Sequence, residues 1–96
     1  METNMINEEI SARVRAVIAA DLRQPVESVP LDARLDAGEL GIDSLGLIKL
    51  TVRIEEIFDV TMPDLAAPEA AGISSVRDVA ALVSRLVAVR DAGGAS

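Results

Sequence analysis

The chain has 96 residues, enough for one small domain around one core. Sixteen acidic side chains against nine basic ones leave a net charge of −7, which argues against a nucleic-acid binder with its basic face and against adsorption to anionic membranes. Cysteine and histidine are absent, which excludes a thiolate nucleophile, a disulfide, a His–Cys zinc site and a Ser-His-Asp triad.

Half of the residues are hydrophobic, yet Phe58 is the only aromatic one, so the core must be built from Leu, Val, Ile, Met and Ala. The opening METNMINEEI has neither the basic n-region nor the apolar stretch of a signal peptide. No apolar run approaches the ~20 residues of a bilayer-spanning helix. These features predict a cytoplasmic, monomeric protein. The expected layout is a flexible N-terminus over 1–5, a folded domain over 6–90 and a disordered tail over 91–96, where the sequence turns small and polar.

The spacing predicts a first helix over 7–22. Ile6, Ile10, Val14, Val17, Ile18 and Leu22 recur at steps of three and four, which puts them on one face. Asn7 is the candidate N-cap, with Glu8 and Glu9 at the positive end of the dipole, and Pro25 ends the helix. Residues 23–43, with Pro25, Pro30, Gly38 and Gly41, keep no period and predict a long ordered loop with one short helical turn. Val26, Val29, Leu31, Leu35, Leu40 and Ile42 would pin it across the bundle. A loop of this length in a compact domain is uncommon unless it is functional.

A second helix is predicted over 44–58, with Asp43 as N-cap and Asp59 and Pro63 at its end. Leu45, Ile48, Leu50, Ile54, Ile57 and Phe58 are its candidate core residues, although Leu45, with Leu47 and Val52, could also stay partly exposed. Lys49, Arg53, Glu55 and Glu56 supply the polar side. Lys49 and Arg53 repel mildly at i and i+4, which Glu56 could offset from i+3 of Arg53. Residues 61–74 hold a further loop, with a short helix around Glu69-Ala70-Ala71. Ser75 and Asp78 form a weak capping box for a last helix. Its apolar face is Val76, Val79, Ala80, Leu82, Val83, Leu86 and Val87, and it fades near Arg90. The predicted fold is all-α: a four-helix bundle of three long helices and one short helix, with a long loop between the first and second.

One motif says more: Glu39-Leu40-Gly41-Ile42-Asp43-Ser44-Leu45 at the mouth of the second helix. Together with the first helix, the long loop, Ile54-Glu55-Glu56-Ile57-Phe58-Asp59 and Pro63-Asp64, it resembles the acyl carrier proteins over roughly residues 6–88. The resemblance implies that Ser44 carries a 4′-phosphopantetheine arm, transferred from coenzyme A by a phosphopantetheinyl transferase. The thiol of that arm holds acyl groups as thioesters, so a carrier needs no cysteine of its own. The helix dipole would favour the phosphodiester by roughly 0.3–1 kcal/mol at an exposed start. With no histidine to activate Ser44, the base and the Mg²⁺ are expected from the modifying enzyme. The chain itself is expected to have no catalytic and no metal site.

The resemblance also implies partners: an acyl-loading enzyme (an acyltransferase or an acyl or aminoacyl ligase) and a ketosynthase or other tailoring enzyme. Asp43 is implied both as cap and as a contact to the modifying site. Leu45, Leu47, Lys49, Val52, Arg53, Glu55 and Glu56 are the implied partner-binding residues. Gly46 and Lys49 stand where the fatty-acid carriers often have acids, which points to polyketide or related specialised biosynthesis. Leu-Gly-Ile-Asp-Ser-Leu is closer to acyl carriers than to peptidyl carriers, which often have Gly-His or Gly-Gly before the serine. An aminoacyl, peptidyl or starter-unit carrier is the alternative, and a helical interaction module with unmodified Ser44 is the rival of another class. A chain that opens on Met and spans one domain predicts a free-standing carrier. Its aliphatic core could part to admit an acyl chain.

Two other functions fail on spacing. A G-x-S-x-G nucleophile elbow needs Gly at the position of Ile42. A calcium loop starting at Asp32 would have Arg34 and Ala37 at its third and sixth positions.

Overall fold

The computed structural model describes residues 8–36, 39–70 and 72–94. Among these, three α-helices run in the order α1 (Glu8–Leu22), α2 (Ser44–Phe58) and α3 (Val76–Gly94). Two 3-10 turns lie at Val26–Ser28 and Pro68–Ala70. The all-helical class is as expected. Where the short fourth helix was expected, the described residues hold a three-residue 3-10 turn at Pro68–Ala70, and Ala71 lies outside them. Proline at the start and glycine soon after leave too little chain for a nucleated α-helix. At its other end, α3 continues through residues 91–94, past the expected fade near Arg90 and into the segment expected to be disordered. The expected cap Asn7 and the apolar Ile6 lie outside the described residues.

The core forms where the faces meet. Helix α1 packs on both α2 and α3. It contributes Val14 and Ile18, α2 contributes Leu50, Ile54 and Phe58, and α3 contributes Val76, Val79 and Val83. Arg13 lies over the Phe58 ring, 5.0 Å from its centre, so the one aromatic side chain also holds a cation. Two expected core residues of α2, Ile48 and Ile57, point outward instead, and Leu45, expected either inside or partly exposed, is exposed. Thr51 takes an inner position, because its hydroxyl has two partners there. It donates to the Leu47 carbonyl at 2.8 Å and accepts the Leu65 N–H at 3.1 Å.

The long first loop is ordered by burial and by backbone pairing. Val29, Ala33 and Leu35 are buried, and Val26, Leu31, Leu40 and Ile42 pack against the core. Arg15 of α1 donates to the Val29 carbonyl at 2.7 Å and the Val26 carbonyl at 3.1 Å, which fixes the 3-10 turn. Further on, the Leu35 N–H donates to the Ser74 carbonyl at 2.9 Å. Arg34 and Ser75 form an isolated antiparallel bridge.

The same loop caps α3. The Val76 N–H donates to the Ala33 carbonyl at 3.0 Å and the Arg77 N–H to the Leu31 carbonyl at 2.8 Å. The Asp78 N–H donates to Ser75 Oγ at 3.2 Å. These are the orphan donors of a helix start, and each has a partner. The expected capping box closes in return, since the Asp78 carboxylate accepts the Ser75 N–H at 3.2 Å. It also accepts the Ser74 N–H at 3.0 Å.

Candidate functional site at the start of α2

The loop delivers Ser44 to one place. Between Arg34 and Ile42 it folds back on itself. The Ile42 N–H donates to the Leu35 carbonyl at 2.8 Å and the Leu40 N–H to the Arg34 carbonyl at 3.0 Å. Glu39 Oε1 accepts the Arg34 N–H at 2.7 Å. Gly41 has φ +69°, the left-handed region that glycine enters without strain. The chain then turns into α2 through Asp43, whose backbone is extended and whose Oδ1 accepts the Gly46 N–H at 2.8 Å. The Asp43 carbonyl accepts the Leu47 N–H at 2.9 Å. Asp43 is thus the N-cap that the sequence predicts.

Ser44 is the first residue of α2 and is exposed. The caps take the N–H groups of Gly46 and Leu47, which leaves those of Ser44 and Leu45 directed at the helix mouth with no partner among the described residues. An exposed hydroxyl beside two uncommitted backbone donors at the positive end of a helix suits a covalently attached phosphodiester. Position 46 carries no side chain. A Cβ there would come within 2.9 Å of Ile42 Cγ2 and 3.2 Å of Asp43 Oδ1, so glycine permits the tight entry into the helix.

The outward face of α2 is apolar near Ser44. Leu45 is 60% exposed, Ile48 43% and Val52 48%. Between this face and the C-terminal turn of α1 opens a groove of ≈ 850 Å³, whose lining includes Ile18, Leu22, Arg23, Ile42, Gly46, Lys49, Arg53 and Glu56. Arg53 pairs with Asp21 of α1 at 3.4 Å, rather than with the Glu56 that the spacing suggested.

Besides Arg53, exposed but paired with Asp21, two more of the predicted partner-binding residues have partners within the chain. Leu47 packs against the core. Glu55 Oε2 accepts the Met62 N–H at 2.8 Å and so ties the second loop to α2. Leu45, Lys49, Val52 and Glu56 remain outward and close in sequence to Ser44. Arg23 was missed by sequence reasoning. It belongs to the groove only because α1 ends beside α2, and no periodicity could have reported that.

Comparison with known proteins agrees with this geometry. Residues 12–83 match the family model described as a phosphopantetheine attachment site. An acyl carrier protein of Akkermansia muciniphila is 34% identical over 82 residues, covering 85% of this chain and 98% of that protein. One of Guillardia theta is 34% identical over 84 residues, covering 88% and 99%. The chain belongs to the acyl carrier protein family. It is a carrier and not an enzyme, and its cofactor is 4′-phosphopantetheine. Among the described residues no helix is long and apolar enough to cross a membrane.

Proposed function

We propose that Ser44 is the attachment residue, and that the chain works as a monomeric, cytoplasmic carrier in polyketide or related specialised biosynthesis. The bound arm supplies a thiol that holds acyl groups as thioesters. The chain's own residues do the rest. Asp43 fixes the start of α2, the Ser44 and Leu45 N–H groups face the phosphodiester, and the folded-back loop holds the hydroxyl out where a transferase can reach it. The observation that carries this reading is the exposed Ser44 at a capped helix start with two uncommitted donors.

The test is an intact mass after incubation with coenzyme A, Mg²⁺ and a broad-specificity phosphopantetheinyl transferase. A phosphopantetheine-sized increase is expected, and its absence in Ser44→Ala. A wild-type protein that gains no mass would instead support an unmodified helical module.

The specialised pathway is supported by the chemistry of α2. Its exposed residues after Ser44 are Leu45, Ile48, Lys49, Val52, Arg53, Glu56 and Ile57, so two cations precede the exposed acid, and the other acid, Glu55, is half-buried. A generic fatty-acid enzyme with a basic docking surface would meet two cations there, and like charges across an interface disfavour the complex. Leu45, Lys49, Val52 and Glu56 are the contacts we assign to a loading enzyme and to a ketosynthase or other tailoring enzyme. Lys49→Glu should lower the rate of acyl transfer with the dedicated partner and raise it with a fatty-acid ketosynthase. Unchanged rates with both would count against docking through this face. Starter-unit or aminoacyl loading uses the same surface and is distinguished by which thioester the neighbouring enzyme attaches.

A further inference from the structure

Among the described residues, two cations in the groove beside Ser44 have no partner. Neither the Lys49 ammonium nor the Arg23 guanidinium makes a hydrogen bond or ion pair among the described residues, whereas Arg53 is held by Asp21 at 3.4 Å. Arg23 is also placed against a backbone preference. Its φ is 57°, in the left-handed region. Its N–H donates to the Ala20 carbonyl at 3.2 Å, and the Gln24 N–H donates to the Ala19 carbonyl at 3.0 Å. This pair of bonds is a Schellman ending of α1, and glycine is the unstrained residue at that position. A residue other than glycine carries a backbone cost in this conformation. Here the side chain lines a groove and pairs with no carboxylate among the described residues.

We propose that this groove receives an acyl load that ends in a carboxylate, with Arg23 and Lys49 as its anion contacts and Ile42, Leu45 and Ile48 as its apolar wall. The proposal rests on Ser44 carrying the arm. Ser44 lies between two groove residues, Asp43 and Leu45, so a load tethered there meets the groove as an intramolecular ligand at high effective concentration. A plain hydrocarbon chain would use only the apolar wall. A carboxylate would also use the forked donors of Arg23 and the point charge of Lys49. The three acids of the groove leave room for it. Asp21 is paired with Arg53, Asp43 accepts the Gly46 N–H, and Glu56 stands about two turns beyond Lys49 along α2. The same face is open to a partner enzyme, so docking there would displace the load from its resting place.

The test loads the apo-protein with butyryl or succinyl arms from the corresponding coenzyme A thioesters, which have four acyl carbons each and differ in the terminal charge. Intact mass reports the attachment. Amide and side-chain NMR spectra are then compared for the wild type, Arg23→Gly and Lys49→Gln. We expect the succinyl load to shift the signals of Arg23, Gly46 and Lys49 relative to the butyryl load, and either substitution to abolish that difference. Arg23→Gly should melt no lower than the wild type, because glycine relaxes the left-handed position, so a lost signal there is not unfolding. Attachment with identical spectra for the two loads would leave the cations to a carboxylate on a partner enzyme and overturn this proposal alone. A difference that survives both substitutions overturns it equally. No attachment of either load would remove the Ser44 assignment and this proposal with it.

Discussion

Ser44 and Asp43 divide one job between them. The carboxylate of Asp43 ends the helix electrostatically and by hydrogen bond, and the hydroxyl beside it is exposed. The cap was legible in the sequence, because it is a local feature; the role proposed for Ser44 came from the resemblance of the motif around it. Asp78 shows the same locality at α3. Its carboxylate accepts the Ser74 and Ser75 N–H groups, and the Ser74 bond first of all holds its pKa below the usual aspartate value, against a burial that pushes it up. A depressed carboxylate pKa stabilises the fold above the unfolded-state value, and that stabilisation is lost as the pH falls through the folded value. Asp78→Asn should therefore lower the melting temperature at pH 7, and the gap to the wild type should narrow below pH ~4. A gap that stays constant from neutral to acid pH would show that the charge of Asp78 adds nothing.

Among the elements, α2 was the easiest to read and the easiest to misread. Its ends coincide with the expectation, Ser44 to Phe58, since a cap and a stop are written on either side. Its inner face was harder. Periodicity put Ile48 and Ile57 inside, where the structure has Thr51, because the buried hydroxyl binds the Leu65 N–H of the second loop. That contact joins residues far apart in sequence and leaves no periodic trace. The first loop was expected to be ordered, and it is, but its reason is tertiary: its carbonyls at Leu31 and Ala33 serve the first N–H groups of α3. Leu35 anchors this arrangement from the core. Leu35→Ala should cost ~2–5 kcal/mol. Chemical denaturation would measure it, and a loss well below that range would mean that backbone pairing alone holds the loop.

At the scale of the whole molecule, sixteen acids and nine bases leave −7, spread over a small surface. Repulsion of this size opposes the compact state. Raising NaCl from about 0.01 M to about 0.15 M shortens the Debye length from roughly 30 Å to 8 Å, so the melting temperature should rise. A flat or falling melting temperature would mean that pairs such as Asp32–Arg77, at 2.8 Å, outweigh the repulsion. The groove belongs to this scale too, since it exists only where the end of α1 meets α2. The amino-acid order by itself determined the three helices, the caps Asp43 and Ser75, and the serine offered at a helix mouth, because each depends on neighbours within a few residues. The tertiary structure alone decided that Pro68–Ala70 form a 3-10 turn where the fourth helix was expected, that Glu55 and Thr51 hold the second loop, and that Arg23 stands in one groove with Lys49. Those outcomes depend on which surfaces are pressed together once the core closes.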